Sequence, residues 1–211
     1  MSQNAGYQIS LDIQGRLCVV IGGDDEASEK VSRLLEGGAK VIVISPTLNT
    51  TLKKLAASAK IIHRGRHFRS TDTQDAFLVL NTLREDLDLS KSLYELAKAE
   101  KFLVWSIDQA ERSNFMMPAV VERGALRVAI STSGAAPALA STLRQNYETI
   151  FDEEFVQFLD WLGKIRESLH ENEPNELRRR EQLRAAVEGF SLTGTLVYPA
   201  SWKEQKEQSD S

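Results

Sequence analysis

The residues of this chain with the clearest chemical potential lie between Asp108 and Arg144. Asp108 is a lone carboxylate at the end of an apolar run, where it can take up a proton as a base or simply cap a loop or helix. Further along, a hydroxyl-rich turn runs from Ser131 to Gly134, and Pro137 then stands where a proline can open a helix. Two strand ends and a helix start that all carry small polar groups predict the rim of a binding cleft.

A glycine turn near the N-terminus is the second chemical feature. Dinucleotide-binding turns follow the pattern G-x-G-x-x-G/A, in which the middle glycine lets a diphosphate approach the backbone at the start of a helix. The turn here reads GGDDEA at residues 22–27, with Asp24 at the middle position. Its three acids would lie beside the diphosphate, but acids are also favourable at a helix N-terminus without any ligand. The turn alone therefore leaves open a dinucleotide site and a capped helix.

The elements that position these residues alternate between strands and helices. Short apolar runs predict five strands of a buried parallel sheet, at 17–23, 41–44, 60–63, 76–80 and 102–107. Helical spacing predicts helices between them, at 26–36, 48–58 and 89–100. The fold class is therefore α/β, with a Rossmann-like sheet that binds ligands at the carboxyl ends of its strands. The candidate cofactor-binding residues are Gly22, Gly23, Asp24, Asp25, Glu26, Ala27, Ser45, Pro46, Asn81 and Thr82.

The character of the chain changes towards its C-terminus. A further apolar strand is predicted at 126–130, before the hydroxyl-rich turn. Beyond Arg144, one helical face carries apolar residues from 155 to 169, and a second helix is predicted at 176–190. The tail, 203–211, is charged and serine-rich, which is typical of disorder.

Composition and charge exclude several classes of protein. The chain has 26 basic and 30 acidic residues, so no broad basic field favours nucleic acid. No apolar run approaches the roughly 18 residues of a membrane span, and no signal segment is recognisable. The lone cysteine, Cys18, excludes a disulfide framework and stands in a strand, where a buried thiol is expected. A cytoplasmic location is therefore expected.

Four segments give the chain a family resemblance. They are LDIQGRLCVVIGG before the first helix, KVSRLLEGGAKV within it, ID-x6-F-x2-PA, and GALRVAISTSGAAPALA-x3-R. Together they cover roughly residues 11 to 144, and the chain thereby resembles the precorrin-2 dehydrogenase and sirohydrochlorin ferrochelatase family, found as the N-terminal module of siroheme synthases. It departs from that family at Asp24, where a glycine is usual, and at Trp105-Ser106, where an asparagine is often found.

The resemblance implies a cytoplasmic homodimer that oxidises precorrin-2 to sirohydrochlorin with NAD. Some family members also insert ferrous iron to give siroheme. The implied domains are a Rossmann-like NAD-binding domain at 1–112, a dimerisation and cleft segment at 113–147, a helical domain at 148–200 and a disordered tail at 201–211.

Roles for individual residues follow from the same resemblance. Asp108 is the implied catalytic carboxylate, and as a hard oxygen ligand it could also hold ferrous iron transiently. The carboxylates of a tetrapyrrole would meet hydroxyls and backbone N–H groups of the turn and the guanidinium groups of arginines. The predicted substrate-binding residues are Ser131, Thr132, Ser133, Gly134, Arg112 and Arg144, with Arg123 as a further candidate.

Two other functions remain open. Because Asp24 stands in the glycine turn, the chain could be a chelatase that has lost the dehydrogenase step. It could also be a non-catalytic tetrapyrrole-binding protein, in which loss of Asp108 would leave binding intact.

Overall fold

A computed structural model describes residues 6–200 and 202. The chain divides into two compact units. The first contains the residues up to Ala119 together with Ile130–Ser141, and the second contains Val120–Ala129 and the residues from Thr142 onward. The predicted tail lies outside the described residues, apart from Trp202.

The first unit is built on a five-stranded parallel sheet. Its strands are β1 Leu17–Ile21, β2 Lys40–Ile44, β3 Ile62–Arg64, β4 Leu78–Asn81 and β5 Leu103–Ser106, in the spatial order β3-β2-β1-β4-β5. The order reverses between β1 and β4, which is where an open parallel sheet forms its ligand crevice. The predicted Rossmann-like α/β fold is therefore confirmed.

Three helices connect these strands. They are α1 Asp25–Glu36, α2 Thr50–Ala57 and α3 Leu87–Glu100. Each begins at a side chain that accepts a backbone N–H from its first turn: Asp24, Asn49 and Asp86 respectively. Such caps satisfy N–H groups that have no partner inside the helix, so the polar residues before each helix set its start.

The core of this unit lies on both faces of the sheet. Successive β1 residues point to opposite faces, so Cys18 and Val20 join one buried cluster while Val19 and Ile21 join the other. All four side chains are almost completely buried, which is why this strand reads as a continuous apolar run. Cys18 is inside the core, as predicted.

The second unit combines a hairpin with helices. The hairpin pairs β6 Ala119–Arg123 with β7 Leu126–Ile130. The helices are α4 Pro137–Ile150, whose first turn belongs to the first unit, α5 Glu153–Asn172 and α6 Glu176–Ala185. Strand β6 was not predicted, and α6 ends five residues before the predicted Phe190. None of the helices in the described part of the chain is long and apolar enough to span a membrane.

Candidate functional site

The glycine turn lies where β1 meets α1, at the crevice end of the sheet. A Cβ on Gly22 would lie 2.0 Å from the Thr82 hydroxyl oxygen, and Gly22 has a φ of +130° that disfavours any side chain. A Cβ on Gly23 would lie 1.9 Å from the backbone oxygen of Thr47. Both glycines are therefore required by the close packing of three strand ends around the turn.

Asp24 is the N-cap of α1. Its carboxylate accepts the backbone N–H of Ala27 at 3.0 Å. This places the side chain on the first turn of the helix, which is the part of a dinucleotide turn that faces a diphosphate. The capping role predicted for the acids is thus confirmed for Asp24.

The two acids that follow have partners of different charge. The amide of Asn49 donates to the Asp25 carboxylate at 2.8 Å, and the Asn49 backbone N–H donates to the Gly23 carbonyl at 2.7 Å. Glu26 instead forms ion pairs, with Lys30 at 2.9 Å and with Arg84 at 3.6 Å. Asn49 therefore holds the turn in place. Among the contacts described, Glu26 is the acid of the turn that pairs with positively charged side chains.

Asp108 follows β5 at the same edge of the sheet, in a left-handed backbone conformation with φ +56°. Its side chain is 65% exposed and forms an ion pair with Arg84. The amide of Gln109 also donates to the Arg84 carbonyl, at 3.3 Å, so this turn is tied to the segment after β4 at two points. One arginine therefore connects the strand-end carboxylate to the first turn of α1.

Arg84 lies at this edge and is not among the residues predicted from the sequence. It stands three residues beyond the end of β4, and the carboxyl ends of parallel strands meet at one edge. Its position just after a predicted strand is the sequence feature that could have indicated a place at this edge. The ion pairs themselves depend on side chains 24 and 58 positions away in sequence, a separation that local patterns do not report.

The residues predicted at the other strand ends fall into two groups. Ser45 is nearly buried, and beside it Pro46 and Thr47 help to line an open cavity of about 380 Å³. Asn81 and Thr82, by contrast, are buried, and their side chains bond inside the protein, to Ser90 and to the Ile21 carbonyl. Asn81 is the last residue of β4 and its side chain faces α3, and contact of Asn81 and Thr82 with the cofactor stays a prediction.

The hydroxyl-rich turn before α4 uses its own polar groups. The N–H of Ser133 donates to the Ser131 hydroxyl at 3.2 Å, and the N–H of Ala136 donates to the Thr132 hydroxyl at 3.1 Å. The Ser133 N–H is therefore engaged within the turn, and its contact with a substrate carboxylate stays a prediction. Ser131 and Gly134 are exposed, and Gly134 continues the left-handed backbone of Ser133.

The predicted arginines have partners within their own units. Arg112 donates to the Leu87 carbonyl at 2.8 Å in the first unit. In the second unit, Arg144 pairs with Glu148, and Arg123 donates to the carbonyl oxygens of Glu148 and Phe151 at the end of α4. Substrate binding by Arg112 and Arg144 stays a prediction.

The positions where the chain departs from the resembled family also have structural roles. Trp105 packs against the core, with the Lys30 ammonium 5.5 Å from its ring centroid. Ser106 is buried, and its hydroxyl is the one buried side-chain oxygen without a hydrogen bond in the described chain. In the part of the chain that the structure describes, no group of three or more His, Cys, Asp or Glu side chains could hold a metal ion.

Taken together, the edge fits a dinucleotide. It offers a glycine turn at a helix N-terminus, an open cavity beside the ends of β2 and β3, and a cation at the reversal of strand order. The carboxylates of the turn would repel a diphosphate. The positive charge of Arg84, which pairs with Glu26, reduces that repulsion.

Comparison with known proteins agrees with this geometry. A family model described as putative NAD(P)-binding matches residues 9–119. Siroheme synthase from Xylella fastidiosa (strain M12) is 32% identical over 181 residues, which are 85% of this chain and 38% of that protein. Siroheme synthase from Methylobacillus flagellatus is 33% identical over 172 residues, 82% of this chain and 37% of that protein. The predicted resemblance is confirmed, and the chain spans less than two fifths of these relatives.

A solved structure described as SirC, precorrin-2 dehydrogenase, shares the fold. It superposes with a TM-score of 0.75 at 23% identity, covering 97% of this chain and 99% of that one. At this identity the likeness establishes the architecture alone. Because the family model spans more than half of the sequence, the chain belongs to the putative NAD(P)-binding family.

Proposed function

We propose that this chain is an NAD-dependent dehydrogenase that oxidises precorrin-2 to sirohydrochlorin in siroheme synthesis. The observation that carries the proposal is the contact of Arg84 with both Glu26 and Asp108. It brings a carboxylate that can act as a base to the same edge as the dinucleotide turn. The siroheme synthase relatives supply the class of substrate.

Each part of the edge has a role in this reaction. The first turn of α1 and the segment after β2 would hold the cofactor, close to the glycines Gly22 and Gly23 and beside Ser45 and Pro46. When bound, NAD supplies the acceptor for a hydride. Asp108 would take up a proton released from the macrocycle, and its exposure leaves it accessible to a large substrate.

The hydroxyl-rich turn and the arginines are proposed to bind the substrate's carboxylates. Support comes from the exposure of Ser131 and Gly134 and from the position of the turn directly before α4. Arg112 and Arg144 carry charges that suit carboxylates, although each is engaged by protein groups in the free chain.

A chelatase is the second candidate, favoured by Asp24. The Asp24 carboxylate caps α1 and adds negative charge where a diphosphate would lie. If this excludes NAD, insertion of ferrous iron into sirohydrochlorin remains as the activity, with the iron as a substrate and Asp108 as its transient oxygen ligand.

An anaerobic assay with precorrin-2 separates these functions. The wild-type chain should form NADH and sirohydrochlorin in equal amounts, and Asp108→Ala should lower kcat by about 10²–10⁴-fold because a positioned base is lost. Asp88→Ala, which removes another exposed carboxylate, is the matched control and should retain activity. No NADH, with iron still inserted into supplied sirohydrochlorin, would leave the chelatase. Binding of sirohydrochlorin without either turnover would leave a carrier.

A cytoplasmic homodimer is part of the same proposal. Among the described residues of the second unit, Val121 is the single buried apolar side chain, while Trp161 and Phe190 are 48% and 54% exposed. A unit with so little interior of its own gains stability by covering its apolar surface with a second copy. Light scattering should give twice the 23.6 kDa of one chain, and a monomer at all concentrations would contradict the dimer.

A further inference from the structure

We infer that Arg84 is a positioning residue that lets this chain bind a dinucleotide despite the acid at the middle of its glycine turn. The inference rests on the proposed function for its link to catalysis, but the binding of the dinucleotide can be measured separately. Arg84 is not part of the glycine turn and lies in the loop after β4.

The charges around the turn need an offset. Asp24 is bonded to a backbone N–H and Asp25 to the neutral amide of Asn49, so neither contact cancels a negative charge. Glu26 is balanced by Lys30 on its own helix. A diphosphate would add further negative charge beside these carboxylates, and repulsion would weaken its binding.

Arg84 is placed to supply that offset. Its guanidinium contacts Glu26 on one side and Asp108 on the other, and its side chain is 57% exposed. A guanidinium has five N–H donors, so two carboxylate contacts leave donors that an incoming phosphate can use. The hydrogen bond from Gln109 to its carbonyl holds the Arg84 backbone at this edge.

The same contacts give Arg84 a second effect, on Asp108. The ion pair restrains a carboxylate that is otherwise largely exposed, so the base is held at the mouth of the crevice. Loss of the guanidinium charge should therefore weaken the binding of the dinucleotide. Loss of the simultaneous contacts with Glu26 and Asp108 should slow the reaction.

The test measures NAD affinity by calorimetry and turnover by NADH formation. Arg84→Gln should raise the Kd for NAD by about two- to fivefold, the range expected when a partly exposed charge is removed. Arg84→Lys keeps the charge but lacks the planar fork of N–H donors, so it should restore most of the affinity and leave kcat low. Arg33→Gln is the matched control, because Arg33 is equally exposed and lies at the far end of α1.

A second substitution isolates the role of the turn. Asp24→Gly leaves a residue that is well tolerated at a helix N-cap and removes one of the opposing charges. In that background, Arg84→Gln should change the Kd by less than it does in the wild-type chain. The affinity of the wild type should also fall more steeply with salt than that of Arg84→Gln.

The outcomes separate this inference from the proposed function. Equal NAD affinity in the wild type, Arg84→Gln and Arg33→Gln would overturn the inference even if precorrin-2 is oxidised. An Arg84-dependent affinity without precorrin-2 oxidation would support the inference and overturn the proposed function. If Arg84→Gln does not fold, the Arg84→Lys and Asp24→Gly variants decide, because an unchanged kcat in Arg84→Lys and an unchanged Kd in Asp24→Gly would both contradict it.

Discussion

Replacement of Asp72 by asparagine should destabilise the edge of the sheet at β3. The Asp72 side chain has no exposed surface, and its carboxylate accepts both Nη groups of Arg66, at 2.7 and 2.6 Å. It also accepts hydrogen bonds from the guanidinium group of Arg64 and from the backbone N–H of Arg69, the second at 2.8 Å. Asparagine keeps one acceptor oxygen but directs an amide NH₂ towards the guanidinium groups.

The magnitude follows from what is lost and what water can replace. Removing one partner of a buried ion pair costs about 3–5 kcal/mol. The guanidinium groups of Arg64 and Arg66 are about one-third exposed and can be rehydrated, so we expect the low end, about 3 kcal/mol. For a chain of this length that corresponds to a fall in Tm of about 6–12 °C.

The pH dependence has a definite sign. The hydrogen bond from Arg66 is the largest cause that lowers the pKa of Asp72 below its ordinary value, and it is assisted by Arg69 and Arg64. A depressed folded-state pKa adds stability above the unfolded pKa of about 4, and this is lost as the pH falls through the folded value. The wild type and Asp72→Asn should therefore differ most from neutral pH down to about pH 5, and the difference should shrink below about pH 4.

Urea and thermal unfolding at several pH values test this reasoning. Asp75→Asn is the matched control, because Asp75 is exposed and its left-handed backbone suits asparagine. A difference under about 1 kcal/mol at pH 7 would refute the buried ion pair as a stabilising contact. A difference that persists undiminished into acid would refute the linkage to the Asp72 pKa.

Three further predictions concern other parts of the fold. Gly23→Ala should cost about 1–3 kcal/mol in unfolding experiments, because its Cβ would meet the Thr47 backbone, while Gly65→Ala should be nearly neutral. Burial raises the pKa of the Cys18 thiol to about 11, so Cys18 should resist a thiol reagent at pH 8 until the chain is denatured; rapid labelling of folded protein would contradict this. Arg123→Gln should lower the Tm, because the carbonyl groups at the end of α4 lose their donor, and an unchanged melting curve would show that water replaces it.

Local patterns were enough to predict the framework of the first unit. Continuous apolar runs predict buried parallel strands because both faces of such a sheet are covered, and β1 and β2 agree with their predictions to within two residues. Caps before the helices are also short-range, as Asp24 on Ala27 demonstrates. The carboxylate of Asp108 was predicted at a strand end, and it lies there.

Shorter or less regular elements were harder to predict. Strand β6 follows a proline and carries two polar residues at its end, so its apolar run is too short to distinguish from a loop. The helix predicted at 176–190 ends at Ala185, because α6 has almost no apolar face that could stabilise further turns by packing.

The sequence by itself determined the α/β framework, the glycine turn and the family resemblance, because each depends on neighbours within a few residues. Tertiary structure alone decided which side chains face the crevice and which charges meet there. Asn81 points inwards because β4 extends one residue further than its apolar run, and Arg84 reaches Glu26 and Asp108 because β1, β4 and β5 end at one edge. Such contacts join distant parts of the chain, and only the order of the strands brings them together.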